Sequence, residues 1–454
     1  MPRLLGRRSL IPLSLALILL GALATTGFVL AGRPATYSGL LGGAAYRIEV
    51  PRDWNGSLLL YSHGYVGPAL ANPARDAGDP VTHDWLLDHG YALAGSAYSE
   101  TGWAVQQGVS DQLALLQRFD SRVGRPRRVI AWGDSMGGLI TAALAEQHPR
   151  LFAGSLPMCG VLSGTAGFWN RALDAEYALR LLLAPHAGLQ LVHVGQPARN
   201  YQLAEAAIVR AQASPAGRAR LALVADVAGI PGWFLPGSAQ PRPTNLIARE
   251  ADQVAWEEHP YLYFAFDRRA EMEARAGGNP SGNVGVSYRQ RLAASPGRTE
   301  VEGLYKVAGL DLGRDLAELD GGARISPDPA AARYAARYAS LDGPLEVPTL
   351  TVHTTGDGLV EVGTERRFAE GVEAAPGTLA QLYVARAGHC TFTPAETIAA
   401  FQALVRRLDT GRWGDLEPAA LNRAAGQLGS SANRLGWPAG PAGPDFVSFS
   451  PPAF

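Results

Sequence analysis

The sequence predicts an α/β protein with a mainly parallel central sheet, helices on both faces of that sheet, and an inserted, mostly helical cap. Two observations support this fold class. Between Tyr46 and Ala131 short β-rich segments alternate with helical ones, which is the rhythm of βαβ units. After Cys159 several helical segments follow one another with no strand between them, and the alternation resumes near Pro348. Two α/β pieces therefore bracket a helical insertion.

Residues 1–31 are predicted to be an export signal. Arg7 and Arg8 precede a long apolar run, and the Ala-Leu-Ala triplet at residues 22–24 offers the small residues that signal cleavage requires. Because the apolar run continues to Ala31, an uncleaved membrane anchor is the alternative. We expect cleavage, and hence a secreted or cell-surface protein that would contact a membrane only through such an anchor.

The α/β core is predicted to comprise residues 37–164 and 345–410. In the first piece the strand-like segments read YRIEV, SLLLYSH, YALAGSAYS and RRVIAW, with a helix at VSDQLALLQRFDSRVG. In the second piece the strands PTLTVHTTGD and TLAQLYVA precede a helix at PAETIAAFQALVRRL. Strands that are separated by helices in this way indicate parallel pairing.

Residues 165–344 are predicted to form the cap, and residues 411–454 a tail. The cap contains the helix-like segments FWNRALDAEYALRLLLAP, NYQLAEAAIVRAQA and RARLALVADVAGI. Its middle, from Gly232 to Arg298, is rich in glycine, proline and aromatic residues, which suits cap packing and an apolar binding site. The proline and glycine density of the tail indicates an extended strap or a disordered end.

The charge and the motif content disfavour several classes of function. Forty basic and forty-one acidic residues give a formal net charge of −1, which provides no overall field for nucleic acid or for an anionic membrane. The chain has no H-E-x-x-H motif and no closely spaced set of cysteines and histidines. A metal enzyme is therefore disfavoured, and no cofactor is expected. The expected partner is a small-molecule or polymeric substrate.

The segment Gly133-Asp134-Ser135-Met136-Gly137 matches the G-x-S-x-G pattern of a nucleophile elbow. A strand-like run precedes it and a helical run follows it, as that motif requires. In such a turn the serine hydroxyl projects above the sheet, and small residues two positions away prevent clashes. Ser135 is therefore predicted to be a nucleophile.

Two residues beyond the cap are predicted to activate Ser135. A serine hydroxyl becomes a good nucleophile when a histidine accepts its proton and a carboxylate orients that histidine. In this architecture the chain order is serine, acid, histidine. Asp357 follows the first strand after the cap, and His389 follows the next. Both residues therefore lie at the carboxyl ends of strands, where α/β sheets carry their sites.

Other acids and histidines are weaker candidates. Asp134 is the rival acid, but it adjoins Ser135 in a turn that directs the two side chains apart. His193 and His259 lie in the cap, from which they could reach a substrate. The remaining histidines are interpreted as surface or packing residues: His83, His89, His148, His186 and His353.

Two backbone N–H groups are predicted to stabilise the oxyanion of a tetrahedral intermediate, where each such donor contributes about 3 kcal/mol. One belongs to Met136, the residue after the nucleophile. The other is assigned to Tyr65 in the His-Gly-Tyr segment, whose Gly64 is expected to face the substrate. Trp103, which follows the next strand, is predicted to form one wall of the acyl pocket, with core packing as the alternative.

Together these segments resemble the α/β-hydrolase superfamily. The motifs HGY, GDSMGG, TTGD and AGHC occur in the order and spacing of its secreted esterase-like members with a large cap, over residues 45–165 and 345–410. This resemblance implies one of the branches with a serine nucleophile. The HGY loop and the Ser-Met-Gly elbow are also similar to cutinases and polyester hydrolases, whose tyrosine helps to build the oxyanion hole. Those enzymes lack a cap of this size.

The two cysteines, Cys159 and Cys390, carry a further resemblance. A cysteine after the catalytic histidine is similar to feruloyl esterases and tannases, in which it bonds to a cysteine just before the serine. Here Asp134 holds that position, so the likeness ends there. Cys390 is instead predicted to pair with Cys159, which ends the strand before the cap and is expected on the same face of the sheet. Two reduced, buried thiols are the alternative.

The predicted function is an exported serine hydrolase that cleaves small or polymeric carboxylic esters through an acyl-enzyme. A serine exopeptidase or amidase on the same scaffold is the first alternative. A non-catalytic binding protein is the second, because a fold does not fix a function, but all three triad candidates are present. The exopeptidase would be favoured by acidic cap residues able to hold a substrate amine, and the candidates are Glu250, Asp252, Glu257 and Glu258.

Overall fold

The computed structural model describes residues 34–454 and is organised around one large sheet. The strands are β1 (Ala35–Leu41), β2 (Ala44–Val50), β3 (Ser57–Ser62), β4 (Ala92–Ser96), β5 (Arg128–Asp134), β6 (Gly154–Met158), β7 (Pro344–Leu345), β8 (Thr349–Gly356), β9 (Glu373–Ala374), β10 (Leu379–Ala387), β11 (Arg434–Leu435), β12 (Gly440–Pro441) and β13 (Phe446–Val447). The large sheet has the order β1-β2-β4-β3-β5-β6-β8-β10-β13. Pairing is parallel from β4 to β10 and antiparallel at both edges. The predicted mainly parallel sheet is confirmed.

Helices cover both faces of this sheet. They are α1 (Pro80–Asp88), α2 (Val105–Arg122), α3 (Met136–Gln147), α4 (Gly164–Leu183), α5 (Pro197–Gln212), α6 (Pro215–Ala228), α7 (Leu246–Trp256), α8 (Arg269–Ala276), α9 (Tyr288–Ala294), α10 (Arg298–Ala308), α11 (Leu312–Gly321), α12 (Pro329–Ala339), α13 (Gly363–Gly371), α14 (Pro394–Thr410) and α15 (Pro418–Gly426). Successive side chains of a strand point to opposite faces. Leu58 and Leu60 of β3 accordingly pack with α2 and α3, whereas Leu59 and Tyr61 pack with α1, α14 and α15.

The segment between β6 and β7 forms the cap, and its described elements are helices α4 to α12 together with two π-helical segments, Glu257–Tyr261 and Tyr263–Asp267. A buried ion pair joins α4 to α8, with 2.8 Å between Arg269 Nη2 and Glu176 Oε2. Burial raises the pKa of Glu176 to about 8, although Arg269 acts in the opposite direction. The centre of the cap therefore contains a buried polar contact as well as apolar packing.

The tail after α14 is ordered in the structure and follows the edge of the sheet. Its helix α15, which the sequence analysis did not predict, begins at a proline and buries Leu421 and Ala425, one helical turn apart. Strand β13 then pairs antiparallel with β10. At the far end, the ring of Phe454 lies 4.6 Å from the Arg171 guanidinium of the cap. Of the two predicted states, the tail adopts the strap.

The N-terminal prediction lies outside the described residues. The export signal predicted at residues 1–31 falls in the part of the chain that precedes residue 34. Within residues 34–454, no helix combines the length and the apolar character needed to cross a membrane. Export therefore stays a prediction.

Candidate active site

Ser135 lies in a sharp turn between β5 and α3. Its backbone has φ 59° and ψ −123°, a strained conformation for a residue with a side chain, and its N–H donates to the carbonyl oxygen of Met158 at 3.0 Å. A Cβ atom on Gly133 or Gly137 would come within 2.2 or 1.9 Å of the Ser62 carbonyl oxygen. The two glycines are therefore required because the turn packs directly against the end of β3.

The structure brings the three predicted catalytic side chains into one hydrogen-bonded chain. His389 Nε2 lies 2.7 Å from Ser135 Oγ, and His389 Nδ1 lies 2.6 Å from Asp357 Oδ2. The other oxygen of Asp357 accepts the backbone N–H groups of Leu359 and Val360, both at 2.9 Å. A carboxylate held in this way orients the imidazole and favours the tautomer that can accept a proton from the serine.

Asp134, the rival acid, points away from this chain. Its Oδ2 accepts a hydrogen bond from the Tyr61 hydroxyl at 2.8 Å. Burial raises the pKa of Asp134 to about 6. The structure thus gives it a partner other than His389.

His353, for which the sequence indicates a surface or packing role, lies buried beside Asp357. Its Nε2 is 3.5 Å from Asp357 Oδ2, and its Nδ1 is 3.0 Å from Glu365 Oε1. Burial lowers the pKa of His353, but the two carboxylates outweigh this and raise it to about 10. Burial likewise raises the pKa of Asp357, but His389 and His353 hold it at about 2. A protonated His353 thus favours the ionised form of Asp357.

This buried pair predicts a pH dependence of stability. The pKa of His353 is higher in the folded than in the unfolded chain, so its contribution is fully present below pH 6.5 and is lost as the pH rises towards 10. In the inactive Ser135→Ala background, we expect the free energy of unfolding to fall by about 4 kcal/mol between those pH values. In the His353→Gln variant this fall should be absent.

Urea denaturation of both proteins at several pH values measures the effect. The exposed His259 of the cap supplies the matched control, because His259→Gln should leave the pH dependence unchanged. If the Ser135→Ala protein gives parallel stability curves with and without His353→Gln, the imidazole is neutral and this charge assignment is wrong.

The two predicted oxyanion donors lie on the segments that adjoin Ser135. Met136 is the first residue of α3, where amide N–H groups have no acceptor within the helix. The His-Gly-Tyr segment leaves β3 so close to the nucleophile that a Cβ on Gly64 would lie 3.2 Å from the Cβ of Ser135. The carbonyl of His63 is fixed by the Tyr98 hydroxyl, which donates to it at 3.0 Å. The site thus has the segments that an oxyanion hole requires.

A disulfide bond joins the predicted pair Cys159 and Cys390. Cys159 directly follows β6, and Cys390 directly follows His389. The Sγ atom of Cys390 lies 3.4 Å from His389 Nε2. The bond therefore fixes the histidine loop to the end of the strand beside the nucleophile.

Trp103 occupies a different environment from the predicted pocket wall. It is 2% exposed, its ring stacks on Phe168 with 5.1 Å between centroids, and its indole N–H donates to Thr165 Oγ1 at 3.1 Å. Its backbone N–H donates to Glu271 of α8. Trp103 is therefore a packing residue between core and cap, because α4 buries its ring through Phe168 and Thr165.

Aromatic residues of the cap approach the loops that carry the triad. Phe264 packs edge-to-face on Tyr65, with 4.9 Å between ring centroids. Trp256 lies so close to Gly358, next to the triad acid, that a Cβ there would come within 2.5 Å of its ring. Pro236 lies against Gly388, which precedes the catalytic-histidine candidate. The cap thus places apolar side chains against the loops that carry Tyr65, Asp357 and His389.

A cavity of about 470 Å³ lies between the cap, the loop after β8 and the C-terminal tail. It borders Asp357 but neither Ser135 nor His389. It therefore lies on the acid side of the triad and is separate from the space where bond cleavage would occur. Its arginines are each paired with a carboxylate: Arg171 with Glu361, Arg249 with Glu300 and Arg291 with Asp174.

The four acidic residues of the cap that the exopeptidase prediction relies on do not line this cavity: Glu250, Asp252, Glu257 and Glu258. Glu250 and Glu257 are buried inside the cap, and Glu258 accepts a hydrogen bond from Gln212 at 2.6 Å. Burial raises the pKa of Glu250 to about 7 and that of Glu257 well above its usual range. Carboxyl groups that lose their charge in this way are poor ligands for a substrate ammonium group, so the amine site predicted for an exopeptidase has no support in this cluster.

Sequence and structure comparisons give matches to hydrolases. The prolyl oligopeptidase family (peptidase S9) matches residues 89–179, which include the elbow. An o-phthalyl amidase from Xanthobacter agilis is 27% identical over an alignment of 434 residues. The match covers 84% of this chain and 89% of that protein. An esterase structure from Aspergillus oryzae is 13% identical, with a TM-score of 0.41 and coverage of 84% and 80%. A proline iminopeptidase structure from Mycobacterium smegmatis is 15% identical, with a TM-score of 0.35 and coverage of 87% and 100%.

Proposed function

We propose that this chain is a serine hydrolase of the α/β-hydrolase superfamily and that it cleaves the amides and esters of small aromatic carboxylic acids through an acyl-enzyme on Ser135. The observation that carries this proposal is the continuous hydrogen-bonded chain from Ser135 Oγ through His389 to Asp357. Simpler side chains would pack equally well at these positions. A serine, a histidine and a carboxylate that are hydrogen-bonded in this order are what nucleophilic catalysis by serine needs.

The geometry supports a two-step reaction. His389 Nε2 accepts the Ser135 hydroxyl proton as Oγ attacks the carbonyl carbon, and the resulting oxyanion is stabilised by the N–H groups of Tyr65 and Met136. The imidazolium then donates that proton to the leaving nitrogen or oxygen. Water, deprotonated by His389, attacks the acyl-enzyme and releases the carboxylic acid and free Ser135. Asp357 stays ionised throughout, because His389 and His353 hold its pKa at about 2.

Amide cleavage is included because of the relative from Xanthobacter agilis, whose name describes an o-phthalyl amidase and which aligns with most of this chain. The ester is included because it has the better leaving group, so a triad that cleaves an amide also cleaves the corresponding ester. The aromatic residues that the cap places around the site suit an aromatic acyl group. The close approach of the cap also favours a small substrate over a polymer.

The test uses a fluorophosphonate probe and matched chromogenic substrates. We expect the probe to label Ser135, and we expect turnover of the p-nitroanilides and p-nitrophenyl esters of phthalyl and benzoyl groups to exceed that of the acetyl compounds. Mass spectrometry of the quenched ester reaction should find the acyl group on the peptide that contains Ser135. Turnover of aminoacyl anilides alone would instead identify an exopeptidase, and absence of labelling would favour a binding protein.

We also propose that the protein is exported by its N-terminal segment. The signal-like residues 1–31 support this proposal, and so does a disulfide bond, since disulfides persist in oxidising compartments. Fractionation of the producing cell and N-terminal sequencing of the recovered protein test it. A cytosolic protein that still begins at Met1 would contradict it.

A further inference from the structure

Three side chains of types that bind metal ions meet on the core. They are separate in sequence from Ser135, Asp357 and His389 and have no part in the proposed reaction. Glu49 belongs to β2, Asp76 to the long loop between β3 and α1, and His83 to α1. One donor atom from each lies within 4.8 Å of the other two. Glu49 and Asp76 are 4% and 5% exposed, so this is a buried group of charges and not a solvated surface cluster. We call it the Glu49–Asp76–His83 cluster.

Asp76 shares its closest cationic partner, Arg47, with Glu49. Its Oδ2 is buried and accepts no hydrogen bond among the described residues, although Arg47 Nε lies 3.3 Å away. Its Oδ1 lies 3.9 Å from His83 Nε2, which is beyond hydrogen-bonding distance. Two buried carboxylates therefore depend on a single guanidinium, which leaves one negative charge uncompensated when His83 is neutral.

The orientation of His83 points to a ligand at its other nitrogen. Nδ1 lies 2.9 Å from Asp84 Oδ1, and a carboxylate on one ring nitrogen is the usual outer partner of a metal-binding histidine. Nε2 is thereby directed at Glu49 Oε2, 2.6 Å away, and towards Asp76. Arg47 lies on the far side, where it contacts Glu49 Oε1 and approaches Asp76 Oδ2. The atoms left facing one another are Nε2, Oε2 and Oδ1.

We propose that Glu49, Asp76 and His83 bind a zinc ion, with one imidazole nitrogen and two carboxylate oxygens as protein ligands. Adjacent ligand atoms of a tetrahedral zinc site with bonds near 2.0 Å lie about 3.3 Å apart. The separations of Nε2 from the two oxygens, 2.6 and 3.9 Å, lie on either side of that value, so small side-chain movements complete the site. The imidazole favours zinc over magnesium or calcium, which prefer oxygen ligands alone.

The cluster ties down the loop that carries the oxyanion segment. This loop runs from the end of β3 to α1, with the His-Gly-Tyr segment at its beginning. At Arg75 its backbone lies directly over Gly95 of β4, where a Cβ would come within 1.7 Å of the Arg75 carbonyl oxygen. At Gly78 it meets the carboxylate of Asp134, the residue before Ser135. A cation at Asp76 would therefore stabilise this loop and the fold without taking part in bond cleavage, and metal binding stabilises the state that binds it.

Calorimetric titration of the metal-stripped full-length protein with Zn²⁺ tests the proposal. We expect one ion per chain and a rise of several degrees in the thermal midpoint. Asp76→Asn should weaken binding at least about 100-fold, and Asp84→Asn should weaken it by about 10- to 100-fold. Asp88→Asn, which changes an exposed carboxylate of the same helix, is the matched control and should bind like the unsubstituted protein. His389→Ala should also keep the site, which separates it from zinc bound at the triad.

A second measurement does not depend on the variants. Crystals grown with Zn²⁺ should give an anomalous difference peak between the three side chains at the zinc absorption edge. The proposal is overturned if the protein shows no saturable 1:1 binding, if Asp76→Asn binds as tightly as the unsubstituted protein, or if the peak lies elsewhere.

Discussion

Ser135→Ala is expected to lower kcat by a factor of about 10⁴ to 10⁶ while the fold stays intact, because the variant lacks the atom that forms the acyl-enzyme. The hydroxyl is partly exposed and hydrogen-bonds only His389 among the described residues, so its removal leaves no cavity in the core. The thermal midpoint should therefore change little. Steady-state turnover of a phthalyl or benzoyl ester, measured beside thermal unfolding, checks both parts of this expectation.

Two further variants make this test specific. His389→Ala should cost nearly as much as Ser135→Ala, and the double variant should cost little more than either, because the two residues act as one unit. Ser121→Ala, which removes an exposed serine hydroxyl on α2, is the matched control and should keep full activity. Turnover by Ser135→Ala at more than a few per cent of the unsubstituted rate would mean that another group is the nucleophile.

Replacing the disulfide is expected to have the largest effect on stability. Cys159 and Cys390 are 231 residues apart in sequence, and the chain-entropy account assigns about 5 kcal/mol to closing a loop of that length. For a chain of this size, such a loss lowers the thermal midpoint by about 5 °C. Activity should fall as well, because the same bond holds the loop that carries His389. Thermal melts and ester turnover of Cys159→Ala and Cys390→Ala measure the two effects.

The double variant is the control for this prediction. If the bond is responsible, Cys159→Ala/Cys390→Ala should match the less stable single variant, since either substitution alone already removes the cross-link. A dithiol reductant should lower the midpoint of the unsubstituted protein and leave that of the double variant unchanged. Equal midpoints for all four proteins would show that the two sulfurs are not bonded in solution.

Local sterics explain why the sequence indicated the nucleophile. A residue pattern that places glycine two positions before and after Ser135 is needed because the turn touches the backbone of β3, and that need is visible in five consecutive residues. Asp357 and His389 could also be named, because parallel strands deliver their carboxyl ends to one edge of a sheet. The structure brings His389 within 2.7 Å of Ser135 Oγ and Asp357 within 2.6 Å of His389.

Long-range packing explains what the sequence analysis missed. Trp103 follows a strand just as a pocket residue would, but the cap helix α4 buries it through Phe168 and Thr165. His353 carries no signal in sequence, because its role arises only where Asp357 and Glu365 converge on it in the interior. A burial environment of this kind depends on side chains from separate elements, and no local pattern specifies it.

Periodicity and turn sterics act between near neighbours in the chain, so they were enough to predict the fold class, the order of the core and cap segments, and the three side chains proposed for catalysis. How the cap packs against the core, that the tail becomes a strap with its own helix, and that Glu49, Asp76 and His83 meet became visible in the folded chain alone. These outcomes depend on contacts between distant segments, whose free energies arise only once the segments are packed together.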